Sequence, residues 1–328
     1  SMVATTFAAD TPLAITEFVR QEGIWRNWFW WNVALQGMVA TFLFAPLWRR
    51  AEVTTDQELI ELRYGGKPAA WLRAFKAGYF AVFLNCLILS WVIAGMTTVV
   101  SVLMNVDKHV AVLACLAVAL VYSVVSGFWG VVVTDLVQFV IAAGGAIILA
   151  VAAVSHVGGV EALLAKLPAK SVAILPPLEH TDNWLLAPWF KVFIYLTVVW
   201  WASQNIDGGG YIIQRMSAAK DEGHALLGTL WFNLCNYAVR SWPWVIVALV
   251  SLVIHPDLSN HSFGDKAGYP LVIAAVLGPG FRGLLVVSFL AAFMSTVDTH
   301  LNWGASYLVS DIYRRFICPK ASPAHYVK

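Results

Sequence analysis

The chain has 328 residues, of which 59% are hydrophobic and 12% are charged, and its formal net charge at pH 7 is +2. Soluble domains carry roughly twice that charged fraction, so the composition excludes an ordinary soluble domain and predicts a membrane protein with several spans. No basic run or motif in the sequence predicts a nucleic-acid partner. Because the composition is that of a membrane protein, we expect the chain to be surrounded by the lipid bilayer.

Eight apolar stretches are long enough to cross a bilayer, which takes about 20 mostly apolar residues. Because lipid cannot satisfy open backbone hydrogen-bonding groups, each stretch is predicted to be a helix, and the fold class is all-α. The longest connections are expected between the fifth and sixth spans and between the seventh and eighth, the second of these with a short surface helix. The predicted spans are residues 1–20, 25–48, 70–104, 109–125, 128–155, 186–215, 223–254 and 282–310.

Lysine and arginine residues are concentrated in three segments on one side of the predicted membrane. They are residues 49–76, the loop after the sixth span, which holds Arg215 and Lys220, and the tail after the eighth span. Cytoplasmic loops are enriched in these residue types, so this side is predicted to be cytoplasmic. The first span then runs from the inside to the outside.

The first and sixth predicted spans both contain residues that interrupt a helix. The first holds "TTFAADTP", where Pro12 removes a backbone donor, and the sixth holds "SQNIDGGG", where each glycine costs about 1 kcal/mol against alanine. Interruptions at matching positions of two halves are the best sequence indication of a transporter binding site. For the glycine run, an unwound hinge is favoured over helix packing. The candidate solute contacts at these breaks are Asp10, Thr11, Ser203, Gln204, Asn205 and Asp207, with Trp201 able to stack on a solute ring.

A polar face runs along the eighth predicted span. Ala292, Ser295, Thr296 and Thr299 follow the spacing i, i+3, i+4, i+7 and therefore share one side of a helix. Two adjacent hydroxyls offer the oxygen ligands that hard cations prefer. Small and hydroxyl residues are also common where membrane helices pack together. Spacing alone leaves packing slightly favoured over ion binding.

Four aspartates lie within predicted spans, where a carboxylate at the helix centre costs about 2.5–3.5 kcal/mol on insertion scales. Such residues are functional candidates by default. Asp135 is expected to be either a hydrogen-bond anchor or a carboxylate beside a monovalent cation or in a proton relay. Asp298 is expected to bond to Asn302, four residues on, or to a neighbouring helix. The four are Asp10, Asp135, Asp207 and Asp298.

Two further polar side chains lie in or near spans. His300 is expected to be a satisfied structural group, and Arg240 is expected to be buried and paired. No arginine is evident near the two breaks in the sequence. A neutral solute is therefore favoured over an anion.

The chain resembles the sodium:solute symporter family, which includes sodium/glucose, sodium/proline and sodium/sialate cotransporters. The resemblance rests on "ELRYGGKPAAWLRAF", "YSVVSGFWGVVVTDLVQFVIAAGG", "YIIQRMSAAK" and "FMSTVDTHLNWGASYLVSDIYRRF". It implies a leucine-transporter-type fold of two inverted five-helix repeats. Residues 1–328 would then be one partial transporter domain that covers spans one to eight, without the start of the first span and without spans nine onward.

The resemblance also implies a site for Na⁺ between the first and eighth spans. Some family members bind a second sodium near the aspartate of the fifth span, which is Asp135 here. The implied ligands of the first sodium are the carbonyls of Ala4, Phe7 and Ala292 and the hydroxyls of Ser295 and Thr296.

Together these features predict a sodium-coupled symporter that works by alternating access, and not an enzyme. The expected solute is a small polar molecule, with a sugar favoured and an amino acid or another small organic solute left open. A sensor or channel that kept the fold but lost coupled transport is the alternative from a different class. The expected location is a bacterial plasma membrane, with several spans; the oligomeric state is not predicted.

Overall fold

The computed structural model of the chain describes residues 1–178, 183–203 and 205–327. Within these residues the secondary structure is helical and no β-strand occurs, in agreement with the predicted all-α class. In this part of the chain, four helices are long and apolar enough to cross a membrane, so the count of eight spans stays a prediction. The four are Gly66–Met104, Val132–His156, Glu222–Ile254 and Pro279–Ile317, beside the shorter apolar helices His109–Val118 and Pro188–Ala202.

The first predicted span is divided into two helices. Helix α1 (Met2–Thr6) is followed by its cap residue Phe7, and helix α2 (Thr11–Glu22) begins four residues after Phe7. Pro12 lies in the first turn of α2, where its missing N–H removes no helical hydrogen bond. The predicted interruption of this span is confirmed.

The second predicted span is a series of helical segments rather than one regular helix. A short helix then crosses the loop that follows, before the third span begins. The segments are a 3₁₀ turn (Ile24–Asn27), α3 (Trp28–Trp31), α4 (Val33–Val39), a π-type segment (Ala40–Phe44), α5 (Ala45–Ala51) and the loop helix α6 (Glu58–Arg63).

The third predicted span is formed by α7 (Gly66–Gly78), a π-type segment (Tyr79–Leu84) and α8 (Asn85–Met104). The fourth and fifth predicted spans are one continuous helix, α9 (Lys108–His156), of 49 residues. At 1.5 Å per residue, α9 is about 74 Å long. A helix of this length is more than twice as long as a bilayer core is thick, so the division of this stretch into a fourth and a fifth span stays a prediction.

The sixth predicted span is also interrupted. Its first half ends at Ala202, and its second half begins at Gly210 after a stretch with positive φ at Gly208 and Gly209. The glycine run is therefore unwound, as predicted. The segments from the long loop onward are α10 (Val160–Lys166), α11 (Ala169–Val172), a 3₁₀ turn (Trp184–Leu186), α12 (Pro188–Ile194), a π-type segment (Tyr195–Val199), α13 (Trp200–Ala202) and α14 (Gly210–Ser217).

The last part of the chain contains the seventh and eighth predicted spans. Between them, the predicted surface helix is instead a buried helix, since its sequence "YPLVIAAV" is apolar and Tyr269 and Ile273 are almost fully covered. The segments are α15 (Glu222–Asn233), a π-type segment (Leu234–Val239), α16 (Ser241–Ile254), a 3₁₀ turn (Gly264–Ala267), α17 (Gly268–Val276), α18 (Pro279–Tyr307), a π-type segment (Leu308–Ile317) and α19 (Pro323–Val327).

The core lies where α18 packs against α8 and α9, and where α16 packs against α2. Its largest buried side chains include Trp244, Tyr269 and Phe293. On the outside, large apolar side chains such as Phe75 and Trp91 are exposed. An apolar exterior of this kind suits a lipid-facing surface.

The three basic segments of the sequence contact one another at one end of the molecule. Arg50 forms a bidentate ion pair with Glu222, with both N–O distances at 2.9 Å. Arg315, in the tail, pairs with Glu61 at 2.9 Å. These contacts agree with the prediction that the three segments lie on the same side of the membrane.

Candidate functional site

The end of α1 meets the middle of α18 through Thr296. The hydroxyl of Thr296 contacts the Thr5 carbonyl at 2.8 Å and the Ala292 carbonyl at 3.0 Å. All three residues are buried. Three oxygen atoms from two helices are thus gathered at one buried point.

A second contact joins the same helices one turn further along α18. The hydroxyls of Thr5 and Thr299 lie 2.9 Å apart. Arg215, on α14, donates to the Thr299 hydroxyl at 2.9 Å. The face of α18 predicted from its spacing therefore packs against α1 and also carries the polar contacts.

Asp135, on α9, completes this buried polar group. Its carboxylate accepts a hydrogen bond from Ser295 on α18 and another from the Ser1 hydroxyl at 2.6 Å. Ser1 in turn accepts from Nε of Arg215 at 2.9 Å. We call Thr5, Asp135, Ser295, Thr296 and Thr299 the α1–α18 junction.

The predicted sodium ligands all lie at or beside this junction. Ala4 and Phe7 are buried at the end of α1, where the Ala4 carbonyl accepts from the Phe7 amide at 3.0 Å. The carbonyl that reaches Thr296 belongs to Thr5, which sequence reasoning did not select. The last four carbonyls of any helix lack partners within it, and that signal could have identified Thr5.

A cavity of about 140 Å³ lies between the two broken spans and the second and seventh spans. Of the predicted solute contacts, Asn205 lines it. Two amides from other spans also reach it: Gln36 donates to the Asn205 carbonyl, and Asn233 donates to the Thr41 hydroxyl at 3.0 Å. We call this space the central cavity. Its lining is Thr6, Val33, Gln36, Gly37, Ala40, Asn205, Gly208, Tyr211, Ile212, Thr229, Phe232, Asn233 and Tyr237.

Asp10 lines a different and larger cavity, of about 510 Å³, between α2, α8 and the segment before α17. The backbone of Asp10 lies against Gly95, where a Cβ atom would be only 2.6 Å from the Asp10 Cα. One carboxylate oxygen of Asp10 is buried without a hydrogen-bond partner. The structure therefore does not bring Asp10 and Asn205 into one cavity.

The other predicted solute contacts are spread along the breaks. Asp207 accepts from the Gly209 amide at 3.2 Å, and the Ser203 hydroxyl accepts from the Asn205 amide at 3.3 Å. Thr11 is half-buried at the first position of α2. Gln204 lies outside the described residues.

Trp201 lies on the outside of the molecule rather than at a cavity. Its side chain is 55% exposed, and its indole N–H bonds back to the Thr197 carbonyl of the same helical turn at 2.7 Å. Hydrophobicity alone cannot distinguish a tryptophan that faces lipid from one that faces a cavity. The structure gives Trp201 no position from which to stack on a solute in either cavity.

The remaining polar side chains of the spans have clear partners or positions. His300 Nδ1 lies 2.8 Å from Asn85 Oδ1, and Asn85 donates to the His300 carbonyl at 2.7 Å, so His300 is a satisfied structural group as predicted. Asn302 accepts from Gln214 at 3.5 Å. Arg240 is buried as predicted, but its surroundings are three aromatic rings and the Val3 carbonyl.

The comparisons with known proteins agree with one another. The model of the sodium:solute symporter family matches residues 1–326. Sodium/glucose cotransporter 4 of Danio rerio is 26% identical over 326 residues, which cover 90% of this chain and 48% of that protein. Sodium/myo-inositol cotransporter 2 of Mus musculus is 26% identical, with 87% and 45% covered. The chain thus spans about half the length of these curated relatives.

A solved structure shares the fold. It is a Na⁺-coupled sialic acid symporter in a substrate-bound outward-open state, with a TM-score of 0.82. The alignment covers 99% of this chain and 68% of that one at 19% sequence identity. At 19% identity this similarity is evidence for a shared arrangement of helices, and it does not identify the solute of this chain.

Proposed function

The chain belongs to the sodium:solute symporter family, and on that premise we propose that it is a sodium-coupled symporter of a small polar organic solute that works by alternating access. The observation that carries this proposal is the α1–α18 junction. It is a buried contact between a helix end and a neighbouring span, built from hydroxyl and carbonyl oxygens. The junction also includes the buried carboxylate of Asp135, and ionisable side chains inside membrane spans mark ion and solute pathways.

Sodium is a cargo ion in this proposal, bound by the ligands expected from the sequence. Hydroxyl and carbonyl oxygens are the donors that a hard cation requires. The Thr296 hydroxyl contacts the carbonyls of Thr5 and Ala292, which supports the proposal that the sodium ligands lie close together. The Thr5 carbonyl is therefore added to the ligands expected from the sequence. The proposed ligands are the carbonyls of Ala4, Phe7, Thr5 and Ala292 and the hydroxyls of Ser295 and Thr296.

A second sodium is proposed beside Asp135. The hydrogen bond from Ser295 to this carboxylate supports it, because the same hydroxyl can then serve both ions. Arg215, which reaches the same group through Ser1, already supplies one positive charge nearby. A second ion must therefore bind against the repulsion of a guanidinium group.

The junction explains coupling in physical terms. Bound sodium holds α1 against α18 and favours one of the two transport conformations, and its departure releases both helices. One charge crossing 100 mV is worth about 2.3 kcal/mol, and a tenfold sodium gradient adds about 1.4 kcal/mol. The two terms together support about 500-fold accumulation of solute per sodium.

The central cavity is the proposed solute site. It lies at both helix breaks, and its amide side chains from Gln36, Asn205 and Asn233 suit a solute with several hydroxyl or carbonyl groups. The names of the relatives, sodium/glucose and sodium/myo-inositol cotransporters, support a polar organic solute. Of the other predicted contacts, Asp10 and Thr11 are proposed to lie on the entry path.

The two breaks also support the proposed architecture of two inverted repeats in one transporter domain. They fall between Thr6 and Thr11 in the first span and, among the described residues, at Ser203 and residues 205–209 in the sixth span. The apolar helices and the family support an integral membrane protein with several spans. A bacterial plasma membrane stays a prediction, since the curated relatives named above come from animals.

Uptake into proteoliposomes under an inward sodium gradient tests the proposal. Ser295→Ala and Thr296→Ala should each raise the sodium concentration for half-maximal uptake by tenfold or more. Ser288→Ala is the matched control, because Ser288 is a buried hydroxyl on the same helix that bonds only to the Leu284 and Ile141 carbonyls. An unchanged sodium requirement in both variants would refute the site. Solute binding without uptake would favour a sensor.

A further inference from the structure

Arg240 lies beside the break of the first span, where no basic residue was expected. Its side chain is buried, with a residue exposure of 4%. The guanidinium carbon is 5.5 Å from the ring centre of Phe7, 5.9 Å from Trp30 and 5.2 Å from Trp244. Nη1 donates to the Val3 carbonyl at 3.2 Å, on the last turn of α1. A permanent positive charge is therefore present at the unwound segment.

This charge is incompletely matched. Nε of Arg240 is buried and has no hydrogen-bond partner. Among the ion pairs in the described part of the chain, none includes Arg240, and Asp10 is the carboxylate that acts on it from a greater distance. A buried charge is costly unless it is paired, and aromatic rings offset only part of that cost. No carboxylate of the described residues is in direct contact with the guanidinium.

Residues next to Arg240 and next to its aromatic neighbours line the central cavity. Tyr237 lines the cavity and precedes Arg240 by three residues, and its ring centre is 5.2 Å from that of Trp30. Thr6 also lines the cavity and is adjacent to Phe7, which lies against the guanidinium. Tyr237 and Phe7 thus link the surroundings of the guanidinium to the wall of the cavity.

We propose that Arg240 determines solute specificity by binding a carboxylate, so that the transported solute is a small polar organic acid. The inference rests on the proposed symport function and names the solute class for the same cavity. The planar guanidinium fork matches both oxygens of a carboxylate. The amides of Gln36, Asn205 and Asn233 bind the uncharged polar groups of the solute. The sequence-based preference for a neutral solute is replaced, because Arg240 is far from both breaks along the chain but beside one of them in the fold.

Competition between matched solutes tests the class directly. Proteoliposomes with an inward sodium gradient are supplied with a mixture of pairs that differ in one carboxylate: glucuronate and glucose, alanine and alaninamide, proline and prolinamide. Accumulation of a carboxylate solute but not of its partner without the carboxylate is the expected result. Equal accumulation of the partner without the carboxylate would overturn the role of Arg240 and leave symport intact. Failure of the sodium gradient to drive any component would count against symport itself, and the inference would fall with it.

Variants of Arg240 test the residue. Arg240→Lys keeps the charge but loses the fork and should raise KM for the carboxylate solute about tenfold. Arg240→Gln should raise KM about 100-fold or more, while sodium alone still raises the melting temperature. Arg282→Gln is the matched control, since Arg282 also lies on a span and donates to two carbonyls. The alternative is that Arg240 only balances the charge of Asp10. In that case the double variant Asp10→Asn with Arg240→Gln would have the KM of the unmodified protein, and the proposal would be wrong.

Discussion

The hydroxyl of Thr296 lies 2.8 Å from the carbonyl of Thr5 and joins the middle of α18 to the last turn of α1. This contact depends on the early end of α1, because a carbonyl inside a longer helix would be engaged within that helix. The interruption of the first span and the polar face of the eighth span are thus two parts of one feature. A cation bound there would hold α1 against α18. Helix α1 would then move away from α18 only after the cation has left.

Close approach of α8 to the broken segment should make Gly95 intolerant of substitution. In Gly95→Ala, the new Cβ would lie 2.6 Å from Asp10 Cα, so the backbone of the break must shift. We expect a stability loss of about 1–3 kcal/mol, as for other overpacked sites, and reduced uptake. Thermal unfolding and uptake measure the two effects. Gly144→Ala is the control, because nothing lies within 4 Å of its Cβ position; an equal effect of both variants would contradict the packing argument.

The cluster at the predicted cytoplasmic end should depend strongly on Arg73. Its guanidinium contacts Asp311 at 2.6 Å, Glu61 at 2.9 Å and Glu58 at 3.2 Å. Arg73→Met leaves the fully buried Asp311 carboxylate without its cation, which should cost about 3–5 kcal/mol. Urea unfolding in detergent measures the loss.

The exposed pair of Arg50 and Glu222 is the control for Arg73. Both side chains are largely in solvent, so Arg50→Met should leave unfolding unchanged. A loss of stability as large as that of Arg73→Met would show that burial does not decide the effect.

The contribution of Glu61 to stability should depend on pH. The guanidinium groups of Arg315 and Arg73 lower the pKa of the Glu61 carboxyl below its ordinary value. A lowered pKa in the folded state means that Glu61 stabilises the fold above the unfolded pKa of about 4.3 and ceases to do so as pH falls through the folded pKa. The difference in melting temperature between the protein and Glu61→Gln should therefore be constant near pH 6–7 and shrink below about pH 4.5. A difference that is independent of pH would contradict this ion pair.

Reciprocal hydrogen bonds should make Asn85 a stabilising contact between α8 and α18. Its amide donates to the His300 carbonyl and its carbonyl lies 2.8 Å from the His300 ring. Asn85→Leu leaves the buried His300 ring without its partner and removes one of the two hydrogen bonds of the His300 carbonyl, and the expected cost is about 1–3 kcal/mol in unfolding experiments. Ser90→Leu on the same helix is the control, because the Ser90 hydroxyl bonds only to the Leu87 carbonyl at an exposed position. Similar costs for both would contradict a specific role for the Asn85–His300 pair.

Local chemistry made the two breaks and the polar face of α18 predictable. Pro12 and the glycines before Tyr211 act on their own backbone, and periodicity places Ser295 and Thr296 on one side of a helix. The positions of Arg240 and Trp201 were not predictable, because they depend on which neighbour each side chain faces. The burial of α17 was not predictable for the same reason, since an apolar segment can face either lipid or a protein core. For the same reason, Asp10 and Asn205, which both lie at breaks, line different cavities.

Stabilisation of the purified protein by sodium tests the central claim without knowledge of the solute. A bound ion raises stability by RT ln(1 + [Na⁺]/Kd), about 1.4 kcal/mol at ten times Kd. The melting temperature should rise when sodium replaces potassium at constant ionic strength, and it should rise much less in Thr296→Val and Ser295→Ala while Ser288→Ala behaves as the unmodified protein. Equal melting temperatures in sodium and potassium, or an undiminished sodium effect in both junction variants, would contradict a sodium site between α1 and α18.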